Sequence, residues 1–257
     1  MNIIHTFIQK LSILIDPIFY IRKKRIGKNT YQITKKVKLM VRPGTTDMLI
    51  VAEVFTFKQY GIEHHPIKPA DIVVDLGAHI GAFTIYAASL AYKGEVYAYE
   101  PNPSNFAYLK ENIRLNKSRN ISIFNSAVSS STQPIRLYIS SSESEHNLYQ
   151  SETSKYLLVS SLTLNDIFTK NGLSRINYLK LDVEGAEYDI LLNTPRKILQ
   201  LIDTIVFEYH DYLSHGHTHH ELVKTLKEAG FTIYYNWPTL IGDIMKMGNI
   251  LATRIKE

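Results

Sequence analysis

Apolar runs of this 257-residue chain stop, again and again, at a polar residue: Asp75, Glu100, Asn125, Asp182, Glu184, Glu208 and His210. Acids and a histidine placed at strand ends can do two kinds of chemistry. A carboxylate can accept hydrogen bonds from ligand hydroxyls, and a carboxylate or imidazole within reach can take a proton as general base. Asp75 and Glu100 suit the first role. Asp182 or His210 suits the second, with Glu184 orienting. Asp182, Glu208 and His210 also offer the donor types of a divalent-cation site, which would polarise a hydroxyl. Strand-end acids and bases perturb one another without a metal as well.

The elements that must position these residues begin with Asp71-Ile-Val-Val-Asp-Leu-Gly-Ala-His-Ile-Gly-Ala-Phe-Thr84. Its β-branched run predicts a buried strand, and its alanine-rich continuation predicts a helix. Gly77 and Gly81 let the backbone turn tightly and approach a ligand. Glu100 closes the next strand, where an acid can take two hydroxyls of a ribose. A dinucleotide fingerprint would read Gly-x-Gly-x-x-Gly, but here Asp75 stands where its first glycine should be. An acid there repels a pyrophosphate and attracts an ammonium, or binds backbone amides in the turn. S-adenosylmethionine has a ribose and an α-amino group and no phosphate, so Asp75 with Glu100 suits it better than NAD.

Around this stretch the chain alternates strand and helix signals. Strands are expected at residues 72–76, 95–99, 121–124, 176–181, 204–207 and 231–235, with a last antiparallel strand at 249–254. Helices are expected at 48–60, 82–92, 104–116, 164–169, after Glu187, and at 219–229. This order implies βαβ units and a mostly parallel sheet, whose ligands sit at the carboxyl ends of the strands. Arg42-Pro-Gly-Thr-Thr-Asp47 reads as a turn with an N-cap signal. Residues 129–161 are serine-rich and read as a hairpin insertion with a mobile loop at 140–154. His215-Gly-His-Thr-His-His220 looks like a metal cluster, but such a run more often opens a helix with solvated imidazoles.

Composition narrows the class. There is no cysteine, which excludes disulfides, thiolate catalysis and Cys-zinc sites and points to a reducing, cytoplasmic compartment. Residues 1–42 carry ten Lys/Arg against one acid, so the rest of the chain holds 19 bases and 23 acids. A nucleic-acid partner would need a basic face on the body; none is expected. The arm of residues 1–42 pairs an apolar helical stripe with bases and a short strand. It is too interrupted to span a membrane, and its charge follows the apolar run instead of preceding it. Packing on the body or on a second subunit is the common role of such a stripe. Weak, peripheral contact of residues 1–25 with an anionic membrane is the functional alternative.

Four blocks together resemble the FkbM family of methyltransferases: Asp75-Leu-Gly-Ala-His-Ile-Gly-Ala-Phe-Thr84, Tyr99-Glu-Pro-Asn-Pro-Ser-Asn-Phe106, Asn125-Ser-Ala-Val-Ser129 and Leu179-Lys-Leu-Asp-Val-Glu-Gly-Ala-Glu187. The resemblance covers roughly residues 40–235, and its fourth block is the most specific. It implies a Rossmann-like class I methyltransferase sheet in residues 43–257, mostly parallel with an antiparallel last strand and with helices on both faces. It also implies S-adenosylmethionine-dependent O-methylation of a glycan, glycolipid or small molecule. Carried over, Asp75, Gly77, Ala78 and Gly81 would line the methionine end of the cofactor. Glu100 would hold the ribose. Pro101 and Asn102 would lie beside the adenine, bordered by Asn125, Ser126 and Ala127. The competing readings are an NAD-dependent oxidoreductase and a non-catalytic domain of the same fold.

Overall fold

The computed structural model describes residues 24–139, 146–147, 155–214, 216–235 and 246–254. The apolar part of the arm, most of the serine-rich loop, and His215 lie outside these residues. Among the described residues no helix is long and apolar enough to cross a membrane.

A seven-stranded sheet organises the body. Its strands are β1 (Ile72–Leu76), β2 (Glu95–Tyr99), β3 (Ile121–Phe124), β4 (Ile176–Leu181), β5 (Ile202–His210), β6 (Thr232–Tyr235) and β7 (Met247–Thr253). Their spatial order is β6-β7-β5-β4-β1-β2-β3. β7 runs antiparallel to both of its neighbours, and the remaining pairs are parallel. Helices flank the strands: α1 (Asp47–Ala52), α2 (Ala82–Leu90), α3 (Pro103–Asn116), α4 (Leu164–Lys170), α5 (Glu187–Asn193) and α6 (His219–Glu228). Strands covered on both faces read as nearly continuous apolar runs. Val73, Val74, Leu76, Leu179, Leu181, Ile205 and Phe207 are accordingly fully buried. The polar exceptions, Asp75 and Lys180, face each other in register on adjacent strands.

The structure departs from the sequence expectations at three places that bear on the site. β5 does not stop at residue 207. It runs on to His210 because β7 pairs with it over its full polar end, Glu208 opposite Asn249 and His210 opposite Met247. Helix α1 gives way at Glu53–Phe57 to a π-helical turn, a feature that recurs at functional sites. Lys58, in the left-handed conformation at φ 53°, ends it before Gly61. Asp47 does not cap α1. Thr46 holds the cap position, and Asp47 turns back to Arg42 instead.

The first described strands, Lys24–Gly27, Thr30–Gln32 and Lys38–Met40, form a separate antiparallel meander. Two amides four residues apart on α3 dock it. Asn112 accepts from Met40 N at 2.7 Å and donates to Met40 O at 3.0 Å. Asn116 does the same for Lys38, at 2.8 and 2.7 Å. Each side chain thus imitates one rung of a strand ladder, which satisfies buried backbone groups at a helix face. Asn112 also donates to Ile80 O at 2.9 Å, fixing the glycine turn to the same frame. On the far side, Ile135–Ile139 pairs with Tyr156–Val159 as the expected hairpin.

Candidate active site

A cleft opens at the carboxyl ends of β1, β2 and β4. Gly77, Ala78 and His79 line it from the turn after β1. Glu100, Pro101 and Asn102 line it after β2, Ser126 and Ala127 after β3, and Asp182 and Glu184 after β4. Tyr60 and Leu137 add walls from the segment after α1 and from the hairpin. Most of the residues expected in the site therefore converge. Asp75, Gly81, Asn125, Glu208 and His210 do not reach its lining.

The turn can take this shape because Gly77 has φ +78°, and a Cβ there would stand 1.8 Å from the carbonyl oxygen of Asp182. Only glycine lets the loop after β4 lie against the loop after β1. Gly77 N and Ala78 N both donate to Tyr99 O, at 3.0 Å each. Gly81 shapes the turn from outside the cleft: at φ +88°, a Cβ on it would meet Leu109 at 2.6 Å.

Asp75 lies below the cleft with no exposed surface. It accepts from Thr84 Oγ1 at 2.5 Å and from Lys180 Nζ at 3.1 Å. The ammonium expected at this acid is thus the chain's own. Lys180 also donates to Gly77 O at 2.9 Å and lies 3.7 Å from Asp182 Oδ2. Burial alone would lower its pKa; the Asp75 and Asp182 carboxylates outweigh burial and raise it.

Glu100 is 4% exposed. Its two oxygens accept from His79 N at 2.7 Å and from Asn102 N at 2.9 Å. Burial pushes its pKa up to about 7, against the pull of these N–H groups. Asn102 caps α3, accepting from Ser104 N and Asn105 N. Asn125 is exposed and braces the strand ends by donating to Glu100 O at 2.8 Å and Pro101 O at 3.0 Å. Ser126 donates to Ser160 O at 2.9 Å, binding the cleft wall to the strand that leaves the hairpin.

Asp182 faces the cleft and keeps 21% of its side-chain surface exposed. It accepts from the Tyr60 hydroxyl at 2.9 Å. Glu184 beside it sits at φ 51°, a left-handed conformation that only an over-determined loop holds at a non-glycine residue. His210 lies elsewhere. Its Nδ1 is 3.3 Å from Glu187 Oε1, and its Nε2 is 3.9 Å from Glu184 Oε2. Burial alone would lower its pKa, but the Glu187 charge and hydrogen bond, with Glu184 and Glu208, raise it well above the ordinary value. His210 stands outside the cleft lining with its Nδ1 turned to Glu187, whereas Asp182 lines the cleft. Burial pushes Glu208 up to about 8; His210 opposes the shift, and Asp182, Glu184 and Glu187 add to it. Burial and the charges of Glu208, Asp182 and Glu184 likewise raise Glu53 on the π-helical turn.

The cation site that Asp182, Glu208 and His210 could have formed is not assembled. Among the described residues no three His, Asp or Glu side chains stand close enough to share a metal ion. Competing partners explain it: His210 turns to Glu187, and Asp182 to Tyr60 and Lys180. In the histidine run, His219 is 2% exposed and pairs with Asp211 at 2.8 Å, while His217 pairs with Glu221 at 2.7 Å.

Sequence reading passed over Lys180, Tyr60, His79 and Glu53, and took Glu187 only as a helix N-terminal acid. Glu187 is fully buried and also accepts from Val183 N at 3.3 Å. A lysine inside an apolar strand signal was the available clue for Lys180. Tyr60 has none locally, since its partner is 122 residues away.

Comparison with known proteins agrees with this architecture. A methyltransferase of Beauveria bassiana is 25% identical over 224 residues, covering 79% of this chain and 88% of the relative. The 31-O-demethyl-FK506 methyltransferase FkbM of Streptomyces tacrolimicus is 26% identical over 215 residues, covering 70% and 80%. A solved Clostridium thermocellum protein described as an rRNA methylase shares the fold, with a TM-score of 0.51 at 13% identity over 77% of this chain and 97% of that one. The profile of the methyltransferase FkbM domain matches residues 75–233. With more than half of its length inside that match, the chain belongs to the FkbM methyltransferase family.

Proposed function

We propose that the protein methylates a hydroxyl of a glycan, glycolipid or small molecule, with S-adenosylmethionine as donor. One observation carries this reading: the buried Glu100 carboxylate and the accessible Asp182 carboxylate line a single cleft. Each carboxylate oxygen has about two acceptor positions. On Glu100, Oε1 is taken by Asn102 N and Asn105 Nδ2, and Oε2 accepts only from His79 N, which leaves one acceptor position for a ribose hydroxyl, so the residues present fit an adenosyl group. They fit a dinucleotide poorly. Gly77 N and Ala78 N are spent on Tyr99 O and cannot cradle a pyrophosphate.

S-adenosylmethionine, when bound, supplies an electrophilic methyl group on a sulfonium. The protein's share is positioning and proton handling. Asp182 accepts the proton of the acceptor hydroxyl. Tyr60 and Lys180 hold that carboxylate at the mouth of the cleft. Glu184 lines the acceptor side, and the His210–Glu187 pair supports its loop. The Streptomyces tacrolimicus relative is named for a 31-O-demethyl substrate, which supports an oxygen acceptor here.

The test is transfer of tritiated methyl from S-adenosylmethionine onto sugar, lipid and small-molecule fractions, with Asp182→Asn as blank. Alkali-stable ether label in one fraction, absent from the blank, is expected. Label found only on amines or carbon would overturn the hydroxyl assignment.

A further inference from the structure

A second recess lies at the amino ends of β2 and β3, away from the strand ends that carry the cleft. Lys36 of the meander, Ser89 and Tyr92 at the end of α2, and Lys117, Ser118 and Arg119 after α3 line it. Lys36, Lys117 and Arg119 are exposed, and none has a carboxylate partner among the described residues. The acids of the neighbouring elements are engaged elsewhere: Glu95 by the Tyr97 hydroxyl, and Glu111 by Arg114 at 2.9 Å. The frame around the three bases is fixed. Thr34 Oγ1 accepts from Lys36 N at 3.2 Å and from Val37 N at 3.1 Å, which sets the turn that carries Lys36. Asn116 docks the meander next to Lys117. Asn120 Nδ2 donates to Ala88 O at 3.2 Å and to Ala91 O at 2.8 Å. It thereby covers carbonyls at the end of α2 that would otherwise repel an anion.

Three cations without counter-ions around one recess attract phosphate-type oxygens. The surface beside them has the same sign: residues 24–42 carry seven Lys/Arg and no acid. Tyr92 is 62% exposed, with Lys93 Nζ 5.9 Å from its ring centre. Such a ring, apolar in body and polar at its tip, suits the headgroup level of a bilayer. The chain that leads into the meander decides between polyanions. It holds Ile3, Ile4, Phe7, Ile8 and Leu11, then Arg22-Lys23, directly before Lys24. An apolar segment continuous with a basic surface suits an anionic bilayer. A nucleic acid offers that segment nothing to bury against. We propose that the recess of Lys36, Lys117 and Arg119 is a headgroup site for anionic phospholipid, through which the meander face rests on a membrane.

Co-sedimentation of the full chain with phosphatidylcholine vesicles, with and without phosphatidylglycerol, tests this. The parent is expected to bind only the vesicles that contain phosphatidylglycerol, and to leave them as salt is raised. A variant combining Lys36→Gln, Lys117→Asn and Arg119→Gln should partition about a hundredfold less, the scale of three bases at an anionic surface. Asparagine is chosen at 117 because Lys117 sits at φ 54°, which asparagine tolerates. A control combining Lys197→Gln, Lys224→Gln and Lys227→Gln removes the same charge from exposed positions outside the recess. It should stay within about threefold of the parent, since charges beyond a Debye length are screened. All six side chains are exposed, so both variants should melt with the parent. Unchanged partition in the recess variant, or equal loss in both variants, would overturn the proposal. Binding to RNA or to free inorganic phosphate without binding to either vesicle would overturn it as well.

Discussion

The Lys180 ammonium stands 3.1 Å from the Asp75 carboxylate, on neighbouring strands in register, with side chains 3% and 0% exposed. Because the same ammonium bonds Gly77 O and approaches Asp182, it ties the turn after β1 to the loop after β4. Losing one partner of a buried ion pair leaves an uncompensated charge, at a cost of about 3–5 kcal/mol. Lys180→Met should therefore lower stability on that scale in urea titrations. Adding Asp75→Asn should recover part of the loss. Strict additivity of the two single losses would show that the pair is not coupled.

If Glu100 holds the ribose as proposed, cofactor affinity should depend on pH. With its carboxyl held up near 7 by burial, it is protonated below that pH and loses acceptor capacity for the ribose. Affinity for S-adenosylhomocysteine should rise as pH increases through 7. The ionised fraction implies about tenfold tighter binding at pH 8 than at pH 6. Glu100→Gln should weaken binding and flatten this dependence. An unchanged pH profile in that variant would assign the titration to another group.

Asp182→Asn should cut turnover by about 10²–10⁴, the range of a lost general base, while S-adenosylhomocysteine binding stays within about threefold. Tyr60→Phe removes the hydrogen bond to Asp182 and should lower kcat by about tenfold. Full turnover in the Asp182 variant would remove it from the chemistry.

Two glycines with positive φ should behave differently. Gly77→Ala drives a Cβ into the Asp182 carbonyl and should abolish cofactor binding. Gly172, at φ +63° with open space around its Cβ position, should cost only the left-handed penalty of about 1–2 kcal/mol as alanine. Melting curves and calorimetry on the two variants check the contrast.

Much of this was legible in sequence because it is local. The β-branched run into Gly77, the spacing to Glu100 and the Asp182–Glu187 block placed the strands and most of the cleft lining. The pairings were not legible. Lys180 meets Asp75, Arg42 meets His79 and Tyr60 meets Asp182 only after the sheet and α1 are packed, and no local period records those meetings. β5 was read short because its last residues are polar, and only pairing with β7 keeps them in the strand. Glu187 does sit at a helix N-terminus, as its position suggested, yet His210 across the loop gives it a second role.

The central claim is that this cleft holds an adenosyl methyl donor through Glu100. Titration calorimetry of the full chain with S-adenosylhomocysteine and NAD, on the parent and on Glu100→Ala, tests it most directly. One-to-one binding of S-adenosylhomocysteine, no binding of NAD, and a loss of about tenfold or more in the variant are expected. Binding of NAD instead, or an unchanged dissociation constant in Glu100→Ala, would contradict the account.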